Sequence, residues 1–166
     1  MKKILLLSVY VLSFTFSNGY SQKIEMNEKT KKNEMNIEKS ISIEKNKLFD
    51  KISEWLPIYY TSPSSTLKFS DKEKGKIIYI GTWELREKNV FGTLYYTMTF
   101  NIEDNKYTCN ITNFYSEYTL TAGALGGSNS QRRFFEDKLI GKKKLFENTE
   151  TNIHKAFDDL SNFISK

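Results

Sequence analysis

The chain has one cysteine and one histidine in 166 residues, and each shortage removes a class of function. A single thiol, Cys109, cannot close an intramolecular disulfide. One histidine and one cysteine fall short of the three or four ligands of a zinc site, so no metal is expected. The longest apolar run, Ile4 to Phe16, is shorter than the ~20 residues a membrane-spanning helix needs. Gly123 to Gly127 is glycine-rich, but it has neither a following Gly-Lys-Ser/Thr nor a Gly-x-Gly-x-x-Gly spacing. It therefore reads as a flexible loop, and no nucleotide cofactor is expected. The excess of positive charge is small. The formal +5 falls to about +3 without Lys2 and Lys3, which favours solubility and does not imply nucleic acid.

What is present begins with an export signal. Met1-Lys2-Lys3, the apolar run and the small polar Ser17 to Ser21 have the three-part layout of a secretory signal peptide spanning 1–21, and cleavage after Ser21 leaves Gln22 first. No cysteine lies near that site, which argues against a lipid-anchored N-terminus. The protein is accordingly expected in the periplasm or outside the cell. Residues 22–32 have the Lys, Glu and Asn content of a charged linker. A single domain is expected over 33–166, since the chain is long enough for one core and has little room for two.

Leu67 to Tyr115 is an aromatic and β-branched meander around which the rest is organised. Asp71 opens its first turn and Gly75 closes a four-residue loop, which pairs Phe69 with Ile78 and Leu67 with Ile80. A two-residue Asp104-Asn105 turn sets Glu103 opposite Lys106. It follows that Ile102 faces Tyr107, Phe100 faces Cys109 and Met98 faces Ile111. On the other face the same count pairs Asn101 with Thr108, Thr99 with Asn110, Thr97 with Thr112, and Tyr95 with Phe114. A one-residue slip would bury the threonines and expose Met98 and Phe100, so the register is well specified.

Before the meander, Met35, Ile37, Ile41 and Ile43 alternate as a short strand. Leu48, Phe49, Ile52, Trp55, Leu56 and Tyr59 then make a helical apolar stripe that Pro57 should distort or end. The segment 116–149 reads as a long loop, with a short strand or helix hidden near Phe134 to Ile140. Ile153, Ala156, Phe157, Leu160, Phe163 and Ile164 predict a final amphipathic helix with Thr149 or Thr151 as its cap. The economical solution is an α+β domain in which both helices pack on the apolar face of the sheet.

Leu48-Phe49, Trp55, Tyr59-Tyr60, the Asp71-Lys72-Glu73-Lys74-Gly75-Lys76-Ile77-Ile78 hairpin and the Asp104 to Tyr107 hairpin resemble secreted Bacteroidota domains of unknown function with a TBP-like fold. The resemblance covers Met35 to Tyr115 and implies a β-α-β4-α order with an antiparallel meander. It implies no activity and no catalytic residues.

Among possible sites, His154 has Asp158 and Asp159 about one helical turn away, but no Ser, Cys or second His is placed to complete a nucleophilic site. The carboxylate pairs Glu103-Asp104, Glu136-Asp137 and Asp158-Asp159 read as solvated turn and helix residues. Arg132-Arg133-Phe134-Phe135 mixes cations with aromatics, yet an exported protein of small net charge is not expected to meet nucleic acid. That leaves the outer sheet face, where the counts place Tyr79, Trp83, Tyr95, Thr97 and Phe114 as a ligand-binding set, unless the long loop covers it. The expected function is a secreted or periplasmic, non-enzymatic binding or accessory domain, acting through that face or the loop on an envelope protein or a glycan. The alternative is a hydrolase using His154 with carboxylates.

Overall fold

A computed structural model describes residues 23–87, 90–121, 128–134 and 142–166. The elements run β1 (Glu25–Asn27), β2 (Lys32–Ser40), α1 (Lys45–Tyr59), β3 (Thr66–Asp71), β4 (Lys76–Glu87), β5 (Val90–Glu103), β6 (Lys106–Thr121), β7 (Ser128–Phe134) and α2 (Lys142–Ile164). The strands pair antiparallel in the order β1-β2-β6-β5-β4-β3. β6 is long enough to carry two neighbours on its second edge, β2 along Lys106 to Ile111 and β7 along Tyr115 to Thr121.

Both helices lie on one face. The α1 stripe of Leu48, Phe49, Ile52, Trp55 and Leu56 is buried, as are Ile153, Ala156, Phe157, Leu160 and Ile164 of α2. Beneath them Met98, Phe100, Ile102, Tyr107, Cys109 and Ile111 form the sheet's apolar layer. The Phe157 ring sits 5.9 Å from Phe100 and 6.4 Å from both Tyr107 and Trp55, so α2 is keyed to the sheet and to α1 through one side chain. The Trp55 indole Nε1–H donates to Asp159 Oδ1 at 2.8 Å, which satisfies the polar end of an otherwise apolar ring.

The meander turns hold their places through backbone requirements. Gly75 has φ 64°, and a Cβ there would fall 2.1 Å from the Ile102 carbonyl oxygen; that close approach admits only glycine. Asn105 takes φ 61° in the Asp104-Asn105 turn. Asp104 also reaches the start of α1, where its Oδ1 accepts from the Lys45 N–H at 2.8 Å. A carboxylate at a helix N-terminus satisfies an orphan donor and complements the helix dipole. The cap thus comes from a turn far along the chain, since Glu44 makes no side-chain cap of its own.

Several expectations are corrected. Residues 22–32 are more than a linker, because β1 forms within them and pairs Glu25 with Glu34. The 116–149 segment is not one loop: β6 continues to Thr121, β7 returns beside it, and α2 begins at Lys142. Thr149 and Thr151 are therefore inside α2, where their hydroxyls donate to the Leu145 and Glu147 carbonyls instead of capping. A bulge between Leu67 and Phe69 moves Leu67 opposite Tyr79, while Phe69 stays opposite Ile78. The segment 1–21 expected to be a signal peptide, the glycine stretch, and most of the span Phe134 to Ile140 where a short element was expected lie outside the described residues.

Candidate functional site

The face of the sheet opposite the helices is the candidate surface. Its centre is the threonine and asparagine ladder, which forms as counted: Thr97 is opposite Thr112, Thr99 opposite Asn110, and Asn101 opposite Thr108. The ladder continues onto β2, where Asn36 lies opposite Asn110 and Asn110 Nδ2 donates to Asn36 Oδ1 at 2.7 Å. On the other side Ile80 faces Thr97 and Ile78 faces Thr99. β7 pairs edge to edge with β6, so its backbone extends the sheet and does not cross over this ladder.

Of the five side chains assigned to this face, Tyr95 and Thr97 lie on it. Tyr79 does not: it is buried on the helix side, its ring 5.7 Å from Tyr60, and burial raises its phenol pKa. Trp83 shares that side and packs against the core. The error comes from β4, where Ile78 and Ile80 are as apolar as Ile77 and Tyr79, so hydrophobic alternation cannot choose a face. Pairing across the next hairpin chooses, by placing Tyr79 opposite Met98 and Ile77 opposite Phe100.

Phe114 is also misplaced. A second bulge lies between Tyr95 and Thr97, and across it Tyr95 faces Tyr115. Asn113 takes φ 54° on the partner strand, its amide donating to Thr97 Oγ1 at 3.4 Å and its oxygen accepting from Lys32 Nζ at 3.3 Å. The extra residue turns Phe114 into the core, where it is fully buried, and Tyr115 outward. Tyr95 and Tyr115 stack with centroids 4.7 Å apart and planes within 3°. The signal was present in the sequence: continued alternation would have put polar Asn113 among the core positions and Phe114 outside, and Asn is a residue that tolerates left-handed backbone.

Sequence reasoning missed a concavity on the same face. β1, β2, β6 and β5 together form an open groove of about 710 Å³ whose lining includes Glu25, Glu34, Glu38, Asn36, Asn101 and Asn110. Glu34 is held by Asn27 Nδ2 at 2.9 Å and by the Thr30 hydroxyl at 3.2 Å. The volume falls within the range of small-ligand pockets.

His154 is partly exposed on α2, and α2 packs on the face opposite the groove, so the structure does not bring His154 together with the groove carboxylates. No group of three or more His, Cys, Asp or Glu among the described residues has metal-holding geometry. Burial pushes the Tyr60 and Tyr96 phenols and the Cys109 thiol upward, with the two phenols hydrogen-bonded at 3.0 Å. These groups are closed off from solvent and are inert at neutral pH. No described helix is long and apolar enough to cross a membrane.

Residues 38–117 match the family described as "Domain of unknown function (DUF4468) with TBP-like fold". The fold is shared with a crystallised TBP-like protein from Parabacteroides distasonis, at a TM-score of 0.69 and 18% identity over 86% of this chain and 97% of that chain. It is also shared with a DUF4468 family protein from Bacteroides ovatus, at a TM-score of 0.64 and 16% identity over 81% of this chain and 87% of that one. None of the curated proteins matches.

Proposed function

For a chain whose residues 38–117 match the DUF4468 family, we propose an exported, non-enzymatic binding domain that works through the outer face of its sheet. The observation that supports this reading is the groove beside the Thr and Asn ladder, on the face the helices leave uncovered. A sheet stabilised only by its inner layer needs no concave outer surface lined with amides and carboxylates. Side chains of this kind can exchange their bonds to water for bonds to a protein or glycan, directly or through bridging water. The N-terminal basic, apolar and small-polar layout supports export, and an exported domain would meet its partner in the envelope.

Site-specific photocrosslinking tests it. A photoreactive phenylalanine analogue at Thr99, on the outer face, should give adducts in cells that express the full chain, and the same analogue at Glu54, exposed on α1, should not. Adducts only at position 54, or at neither, would overturn the reading. Recovery of the protein in the cytoplasm with Met1 to Ser21 retained would overturn the export half alone.

A further inference from the structure

We propose that the groove over β1, β2, β6 and β5 binds an extended peptide segment carrying lysine or arginine at two positions four residues apart; this rests on the outer-face reading and names its ligand. The groove is a concavity first, and its chemistry then selects the occupant. Its lining includes Glu25, Glu34 and Glu38 against a single cation, Lys23, in a chain whose formal charge is +5. Glu25 is directly opposite Glu34, and like charges so placed destabilise a strand pair. A ligand cation between them would turn that repulsion into two attractions. Glu38 lies four residues along β2, about 13 Å away at strand rise. Lys106 Nζ is 3.9 Å from Glu38 but 3.5 Å from Glu103, so its contact with Glu38 is the longer of the two and leaves that carboxylate able to accept a second cation.

The floor between the two acidic ends decides against a simple polyamine. Asn36 and Asn110, joined by their 2.7 Å hydrogen bond, offer amide donors and acceptors where a polyamine would lay methylenes. Covering amides with methylenes strips their water without replacement, whereas peptide N–H and C=O groups exchange bonds with them. In an extended peptide the side chains at the first and fifth positions point the same way and span the same ~13 Å as Glu34 to Glu38.

Isothermal titration of the whole protein with a capped pentapeptide, lysine at positions one and five and serine between, tests the proposal. The peptide should bind, and binding should weaken about three- to tenfold in the Glu25→Gln/Glu38→Gln double variant, as two solvated ion pairs would give. Added salt should weaken it in the wild-type protein, a readout that does not depend on the variant folding. Equal binding of an all-serine or a glutamate-substituted peptide, insensitivity to salt, or spermidine binding at least as tightly would overturn it. Loss of peptide binding with position 99 adducts retained removes this inference alone. Peptide binding without those adducts removes the wider reading.

Discussion

Asn113→Val tests the feature that decides which aromatics face outward. Residue 113 sits at φ 54°, where an L-residue pays ~1–2 kcal/mol and a β-branched one is a genuine outlier. Its side-chain bonds to Lys32 and Thr97, at 3.3 and 3.4 Å and exposed, add little. Asn113→Gly should therefore stay within about 0.5 kcal/mol of wild type, relief of strain offsetting the entropy of a freer unfolded chain. The valine variant should fall about 1–2 kcal/mol below it. The chain has an escape, which is to delete the bulge and slide β6 by one residue. That would expose Phe114, at ~1.5–3 kcal/mol for its lost burial, and would drive the Tyr115 hydroxyl into the core at a further ~1–3 kcal/mol if unpaired. Escape costs more than strain, so the bulge should persist and the strain should remain local. Urea unfolding followed by fluorescence of Trp55 and Trp83 measures this directly. Equal midpoints for the valine and glycine variants would show that residue 113 is not held left-handed. A loss beyond about 3 kcal/mol with a changed m-value would show that the register has slipped.

Phe157→Ala should cost ~3–5 kcal/mol in the same assay, because the ring meets Phe100, Tyr107 and Trp55 and a cavity would remain; Lys155→Ala, exposed on the other side of α2, should be near neutral. Gly75→Ala should lose at least ~2 kcal/mol, since positive φ and the Ile102 carbonyl both oppose a Cβ, and a midpoint equal to wild type would show that the hairpin moves aside. The Tyr60 and Tyr96 phenols are raised above their ordinary 10.0, chiefly by burial. The folded state therefore holds protons that the unfolded chain releases at high pH, so stability should be intact below pH 10 and should fall progressively above it. Tyr60→Phe/Tyr96→Phe should flatten that alkaline decline, and a decline of unchanged slope would place its origin elsewhere. Thr99→Lys should cost well under ~1 kcal/mol if the outer face is open, whereas a loss of several kcal/mol with secondary structure retained would mean that something covers it.

The two helices, the strands of the central meander and the register of the Asp104-Asn105 hairpin were legible in the residues, because each depends on neighbours close along the chain. Apolar residues at helical spacing around Trp55 and Phe157 select one face. The Asp104-Asn105 turn and the apolar set Met98, Phe100, Cys109 and Ile111 agree on one pairing, and every pair from Thr97–Thr112 to Glu103–Lys106 stands as counted. The parity of strands whose two faces are equally apolar, and the strand contained in 116–149, were set by pairing with distant strands. Ile77 to Ile80 carry no alternation to read, so β4 takes its orientation from β5, and Tyr79 and Trp83 went inward with it. Asn113 breaks the period in a single residue, and everything beyond the break, Phe114 and Tyr115 included, changes sides. β7 has no amphipathic pattern in Ser128 to Phe134 because its place is set by backbone pairing with the far half of β6. The groove is the extreme case. Glu25, Glu34, Asn36, Asn101 and Asn110 come from four strands and share no spacing. Only the strand order, which lays β1 and β2 beside β6, brings these carboxylates and amides onto one surface.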